Sequence, residues 1–480
     1  MSHGPEHPPG EHPARWRALA VCLAAGFMTL LDVSIVNVAL PSIQEGLRAS
    51  ASDLQWVLSG YALTFGLVLV PAGRLGDATG RRRAFLLGVG LFTLTSVSAG
   101  LAVSPLWLSV SRLVQGVAGG LINPQVAGLI QELFRGRERN HAFGWLGASI
   151  GIATAAGPIT GGLIIALAGP QHGWRWVFLV NLPIGLATIV LGRRLLPAER
   201  TDHRVRGLDL VGVALLGLGV LLVMLPMLEA EGGRTRVPWW LVVVGALVVV
   251  GFVAWERRCR GRGGTPLVDP ELLRSRSYAL GVLLGMVYFA SFTGIFFVLA
   301  VFFQRGLGYS ALASGLAVTS FALGSAVAAA VGGRLVGRMG RLLVVLGLVL
   351  VVVGLASTDL VLRHWPAGVA AGLATALPLL VAGVGSGLTV SPNQALTLAA
   401  VPVRMAGTAA GVLQTGQRIG TAVGIAAMGL AFYGTLADTG ADYGRAVTTA
   451  LWLAVGLALL ALLLGLADLL LGRPEDARAR

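Results

Sequence analysis

Fourteen apolar runs, each long enough to cross a bilayer, follow one another along this chain, and no water-soluble fold could bury them all. They cover residues 16–41, 54–73, 84–103, 106–131, 142–168, 175–192, 209–228, 238–256, 278–304, 310–333, 342–361, 368–391, 404–434 and 446–471. About 20 apolar residues suffice for one crossing. Lipid offers the backbone no partners, so each run must satisfy its own hydrogen bonds as a helix. The chain is therefore read as an all-α membrane protein with fourteen transmembrane helices. It is 55% hydrophobic and 12% charged, against about 25% charged for a soluble domain, so no soluble domain of useful size is expected.

The charges are placed in a pattern. Of 36 arginines, with no lysine, 27 lie in the two tails and in the loops that follow every second run. The positive-inside rule puts those loops and both termini in the cytoplasm, in a multi-pass protein of the cytoplasmic membrane. The formal charge of +14 does not indicate nucleic acid, because the arginines sit in short loops with no domain to present them. Cys22 and Cys259 fall in the first run and in a basic loop, and no disulfide is expected. The leader lacks a cleavable signal pattern, and His3, His7 and His12 are read as part of a polar tail.

An internal repeat divides the chain. Gly73-Arg74-Leu75 with Gly80-Arg81 recurs as Gly333-Arg334-Leu335 with Gly340-Arg341, 260 residues later. Each copy follows a run, the second and the tenth. Two halves of six helices would align the second run with the eighth, so the shift implies an inserted pair. The expected divisions are a cytoplasmic tail over 1–15, a six-helix bundle over 16–200, the insertion over 201–265, a second six-helix bundle over 266–472 and a tail over 473–480. Parallel repeats of this kind mark transporters, with the binding site between the halves.

Asp32 lies inside the first run. A carboxylate at such depth costs roughly 2.5–3.5 kcal/mol on insertion scales, so it should face the bundle interior or a water-filled cavity. In the run 106–131, Arg112, Gln115, Gly116, Gly119 and Asn123 fall on one helical stripe. Arg112 and Asp32 have similar depth, and each would make the other tolerable. The pair is either a structural ion pair or a proton switch, in which protonating Asp32 frees Arg112. The polar residues Asn37, Tyr61, Gln115, Asn123, Tyr288, Gln394 and Gln414 lie inside apolar runs and are the candidates for a substrate cavity. Asn181, Gln417 and Arg418 are further polar positions at membrane depth.

In the run 142–168, Gly151, Gly157, Pro158, Gly161 and Gly162 either pack tightly against neighbours or form a kinked gasket that closes the pathway on one side. In the loop after the second run, Asp77 is an acid in a basic turn. It either pairs with Arg81 or caps a helix N-terminus, and Gly80 suits a turn of positive φ. Gly73, Asp77, Gly80 and Arg81 are read as a latch to the other half. Asp359 and Arg363 are spaced for a local pair, and Ser52 with Gln55 fits a capping box. No metal-ligand cluster, phosphate loop or nucleophile constellation occurs in the sequence. Neither an enzyme nor an ATP-driven pump is expected, and no metal.

These motifs resemble the major facilitator superfamily, in its fourteen-helix drug:proton antiporter branch. Leu31-Asp32-Val33-Ser34 through Asn37 to Pro41 is similar to that branch's first-helix signature, with Ser34 where Thr is usual. Gly73–Arg83 resembles the superfamily's loop after helix 2, Arg112–Gly116 its helix-4 motif, and Gly151–Gly162 its antiporter motif. Trp174-Arg175-Trp176 through Asn181 to Gly185 is a further specific match. The resemblance implies two six-helix bundles around a cavity, alternating access, and proton influx driving export, with Asp32 and Arg112 as coupling residues. Two departures stand out. Gly337 replaces Asp77 in the second loop copy, and the run 404–434 holds no acid. The expected function is proton-coupled export of amphipathic small molecules, drugs or antibiotics, by a monomer in the bilayer, with the proton gradient as energy source and no cofactor. A dedicated exporter of one metabolite, lipid or peptide, or an uncoupled facilitator, is the alternative.

Overall fold

The computed structural model describes residues 14–169, 171–197, 209–231, 237–262, 264–269, 271–364, 370–440 and 442–471. The tails, with His3, His7 and His12, lie mostly outside the described residues. The first half comprises α1 (Arg15–Leu47), α2 (Ala51–Thr79), α3 (Arg81–Gly100), α4 (Pro105–Leu133), α5 (Gly136–Ala168), α6 (Gly173–Leu179) and α7 (Asn181–Leu195). The inserted pair is α8 (Leu210–Glu231) and α9 (Trp240–Gly261). The second half comprises α10 (Arg276–Val301), α11 (Ala311–Met339), α12 (Arg341–His364), α13 (Ala370–Ala374), α14 (Ala376–Ala399), α15 (Ala406–Asp438) and α16 (Tyr443–Leu471).

Among the described residues, thirteen helices are long and apolar enough to cross a membrane, α6 and α7 together forming one of them. The remaining crossing is α14, whose Ser386, Thr389, Ser391, Asn393 and Gln394 lower its hydropathy. Several helices overrun their apolar runs. α1 continues through Pro41 to Leu47, and Arg48 ends it in the left-handed region at φ 50°. Its 33 residues span roughly 50 Å at about 1.5 Å each, more than the hydrocarbon core of about 30 Å. The sixth run breaks at Val180, which leaves Asn181 at the first turn of α7.

Helix starts follow local chemistry. The capping box of α2 is Ser50 with Asp53, as the helix begins at Ala51; the side chains of Ser52 and Gln55, the expected pair, lie outside the described ones. Hydrogen bonds from the Ser50 hydroxyl and backbone N–H hold the Asp53 carboxyl below the usual carboxylate range. Ser104 and Ser310 accept backbone N–H groups at the starts of α4 and α11.

The halves meet at their Arg-rich ends through two related glycine contacts. A Cβ on Gly73 of α2 would lie 2.2 Å from the Gly407 carbonyl oxygen of α15. A Cβ on Gly144 of α5 would lie 2.9 Å from the Cα of Gly333, the repeat counterpart of Gly73, on α11. Only glycine lets backbones approach so closely. The Gln131 amide donates to the Leu398 carbonyl at 2.8 Å, and the Ser391 hydroxyl donates to the Phe143 carbonyl at 2.9 Å, across the same seam. Toward the other end Ile159, Leu163 and Leu167 of α5 are exposed, and Asn37 and Pro41 of α1 are exposed as well. The structure is thus closed at its Arg-rich end, the side that the positive-inside rule assigns to the cytoplasm. Of the inserted pair, α8 bridges the halves: Val220, Met224 and Met227 pack with Leu63 of α2 and with Ala422 and Ala426 of α15.

Candidate functional site

Asp32 is fully buried, and three side chains converge on it. Arg112 of α4 places Nη1 2.5 Å from Asp32 Oδ2. Gln115 Nε2, one turn along α4, donates to Asp32 Oδ1 at 3.0 Å. Asn181 Nδ2, delivered by the break between α6 and α7, donates to the same oxygen at 2.9 Å. The shell has its own support. Ser96 of α3 accepts from Gln115 and Asn181 at 3.2 and 2.9 Å, and donates to the Phe178 carbonyl at 2.9 Å. Arg112 Nε donates to the Val57 carbonyl at 3.1 Å, and its Nη1 to Gln115 Oε1 at 2.8 Å. The Tyr61 ring lies 4.3 Å from Arg112 Cζ. Asp32, Arg112, Gln115, Asn181 and Ser96 are each at most 1% exposed.

A buried ion pair held this way resists the loss of one partner, because the survivor becomes an uncompensated charge. Removing the charge of Asp32 by protonation leaves Arg112 in that position. Asp32 is also near the open side: Ser34, two residues on, is partly exposed, and Asn37 is exposed.

The antiporter-motif residues divide by position. A Cβ on Gly157 would lie 2.3 Å from Ser34 Cβ, and one on Gly161 would lie 2.9 Å from Ile35, so these glycines seat α5 on α1 beside Asp32. The Ser34 hydroxyl donates to the Thr154 carbonyl at 3.0 Å. Gly151 instead faces Ala326 of α11, at the seam, while a Cβ on Gly162 would meet open space. Within this group the gasket role across the halves fits Gly151, not Gly157, Gly161 or Gly162. The backbone of α5 is helical through Pro158.

The expected loop is helical as far as Thr79, because α2 overruns its apolar run, and Asp77, in the last turn of α2, does both of the things its chemistry allows. Asp77 pairs with Arg81 at 2.9 Å, and it accepts the first N–H groups of α15, Gly407 at 3.1 Å and Thr408 at 2.8 Å. Arg81 reaches on to the Gly128 carbonyl, to Glu132, and across the seam to the Val403 carbonyl. Gly80 turns the chain at φ 105°. In the second half, Arg341 pairs instead with Asp468 of α16 at 2.5 Å, inside the half.

The cavity candidates fare differently. Asn37 is exposed, while Asn123 and Gln414 are partly buried. Asn123 donates to the Gly119 carbonyl at 3.0 Å and to Thr29 at 3.3 Å. Gln115 and Tyr61 do not line open space: one supports Asp32 and the other covers Arg112. Tyr288 is buried in the second-half core, stacked on Phe292 at 5.7 Å, and Gln394 is buried in α14. Asn181 was visible in the sequence as a polar residue at depth, but nothing in the spacing paired it with Asp32. Ser96 carried no signal. A separate cavity of 820 Å³ lies at the Arg-rich end, lined by residues that include Phe252, Glu256, Arg257 and Arg274, far along the chain from this cluster.

The model of the Major Facilitator Superfamily matches residues 22–425 and 281–479. The chain is 38% identical to the probable actinorhodin transporter of Streptomyces coelicolor, over 89% of this chain and 74% of that protein. It is 34% identical to a puromycin resistance protein of Streptomyces alboniger, over 91% and 85%. Its fold matches the crystal structure of the human organic anion transporter MFSD10 with a TM-score of 0.69 at 17% identity, covering 96% of this chain and all of the other, a likeness of fold alone.

Proposed function

The chain belongs to the Major Facilitator Superfamily, and from that premise we propose that it exports amphipathic small molecules of antibiotic type in exchange for protons, with Asp32 as the coupling site. It is a multi-pass transporter of the cell membrane rather than an enzyme. The antibiotic exporters and resistance proteins among its relatives support the substrate class. The observation that carries the coupling is the fully buried Asp32–Arg112 pair, braced by Gln115 and Asn181 and set beside the side of α1 that opens to the outside.

In the closed-inside arrangement a proton from the outer side reaches Asp32 past Ser34. Neutral Asp32 releases Arg112, and the freed guanidinium destabilises the packing of α4 on α1 and α7. The halves then rock about the α2–α15 and α5–α11 seams, and the proton leaves on the cytoplasmic side. One elementary charge crossing the membrane supplies about 2.3 kcal/mol per 100 mV. That suffices for roughly a tenfold substrate gradient or more, since about 1.4 kcal/mol is a factor of ten. The test is transport of a panel of aromatic amphipaths into inverted membrane vesicles energised by a proton gradient. Uptake that collapses on adding a protonophore supports exchange. Uptake indifferent to the protonophore contradicts it and favours a facilitator.

A further inference from the structure

Arg418 is the charge at membrane depth that the coupling cluster does not use. It lies on α15, twelve residues from Ala406, which is roughly 18 Å into the membrane at about 1.5 Å per residue. Its Cζ stands 4.3 Å from the centre of the Phe65 ring on α2, in the opposite half. Phe65 in turn lies 5.8 Å from the Tyr61 ring, whose other neighbour is Arg112. Two guanidinium groups therefore flank a pair of aromatic rings across the seam between the halves. They differ in one respect. Arg112 is neutralised by Asp32, whereas among the described residues no carboxylate pairs with Arg418 and no hydrogen bond to its guanidinium is present.

A cation at this depth is costly unless it faces water or a ligand, and Arg418 is partly exposed. Stacking on Phe65 occupies the face of the guanidinium and leaves its in-plane N–H donors free, the geometry that grips a carboxylate in two parallel hydrogen bonds. Gln414, one turn away on α15, is partly exposed as a residue, and among the described residues its Oε1 is buried with no donor. The mid-membrane acid Asp32 is already taken by Arg112, Gln115 and Asn181. The mid-membrane charge left without a partner among the described residues is therefore positive.

We infer that Arg418 is the residue that sets substrate charge: the cavity takes an aromatic amphipath bearing one negative charge, a carboxylate or phenolate, whose anionic group pairs with the free edge of Arg418. A hydroxyl on the same molecule finds its acceptor in Gln414. Singly and doubly charged cations are disfavoured, because the pocket offers them a like charge and no free acid. The inference rests on the export reading above and adds a consequence to it. Export of a monoanion against one entering proton moves two elementary charges, so it responds twice as steeply to membrane potential as export of a neutral molecule.

The experiment uses the purified full chain and three probes that share a ring system: 2-naphthoate, 2-naphthalenemethanol and 2-naphthylmethylammonium, measured by equilibrium dialysis at pH 7.5. The carboxylate is expected to bind at least tenfold more tightly than the other two. Arg418→Gln is expected to remove that preference while binding of the alcohol persists, which also reports on folding, and Arg418→Lys is expected to keep most of it. Equal or tighter binding of the ammonium probe, undetectable binding of the carboxylate to the parent, or a charge preference that survives in Arg418→Gln overturns the assignment. These are equilibrium measurements without a proton gradient. Their failure leaves the coupling role of Asp32 intact, and a failure of coupling at Asp32 leaves them unaffected.

Discussion

Asp77 holds Thr408 by both of its donors: the backbone N–H at 2.8 Å and the side-chain hydroxyl at 2.9 Å both reach Oδ2. The acid at the end of α2 in one half is thereby the cap of α15 in the other. Helix N-termini favour negative charge, and the Asp77 side chain is only 2% exposed. The join is a strong one, and it exists only while the cytoplasmic ends are together.

Asp77→Ala is expected to shift the conformational equilibrium toward the arrangement open to the cytoplasm. Hydrogen bonds to charged groups contribute about 1.5–3 kcal/mol each, so the shift should be roughly ten- to a hundredfold, at about 1.4 kcal/mol per factor of ten. Distances between spin labels on the cytoplasmic ends of α2 and α15 report it. Transport should fall while ligand binding remains measurable. Loss of binding in a normally folded variant would show that the latch idea is wrong.

Gly73→Ala should act on the same seam by a different route. The new methyl would meet the Gly407 carbonyl oxygen at 2.2 Å, backbone against side chain, with no flexible atom to yield. The expected result is a chain that reaches the membrane in normal amount but cannot close its cytoplasmic end, so that a cysteine placed near Gly411 stays reactive to thiol reagents from the inside. Protection equal to that of the parent speaks against it.

Gly157→Ala tests the seat of α5 on α1. Its methyl would lie 2.3 Å from Ser34 Cβ, two residues from Asp32. Displacing α1 there should reduce proton-driven transport by an order of magnitude or more, whereas Gly162→Ala, which meets open space, should leave it within about twofold, the effect of a surface change of about 0.5 kcal/mol. Equal effects at the two positions would remove the distinction drawn between them.

Asn181→Ala removes a donor shared by Asp32 and Ser96. Leaving buried groups without a partner costs about 1–3 kcal/mol, so the purified chain should melt at a lower temperature, and Asn181→Asp should not restore it because it sets a second acid beside Asp32. An unchanged melting temperature would mean that Asn181 is not part of the shell.

Much of this site could be read from residue order because helices convert spacing into faces. The depth of Asp32 and Arg112 put them together, and the stripe on α4 brought Gln115 with them. The glycine repeat placed Gly73 and Gly333 in matching roles. What the residues could not give was the pairing between helices remote in the chain. Asn181 reaches Asp32 because α6 and α7 break at Val180, and Ser96 reaches both through the packing of α3, neither of which leaves a periodic trace. The same gap explains why Tyr61, Gln115, Tyr288 and Gln394, expected at a cavity, are buried in the structure. A polar residue inside an apolar run faces either water or a protein partner, and composition does not choose between them. Asp468, near the end of the last run, carries no spacing that points to its partner Arg341, which in the sequence is one more arginine of a basic loop. The overrun of α1 past Pro41 has a similar cause: proline weakens a helix locally, but packing of the neighbouring turns carries it on.

The central claim is that one protonation site, Asp32, couples the proton gradient to export, and Asp32→Asn in proteoliposomes tests it most directly. The variant keeps the size of the side chain and cannot carry the charge. Substrate exchange at equal pH on both sides should persist within a few fold, and an imposed pH gradient should no longer accelerate net transport. If transport by Asp32→Asn still responds to the gradient as the parent does, Asp32 is not the coupling site.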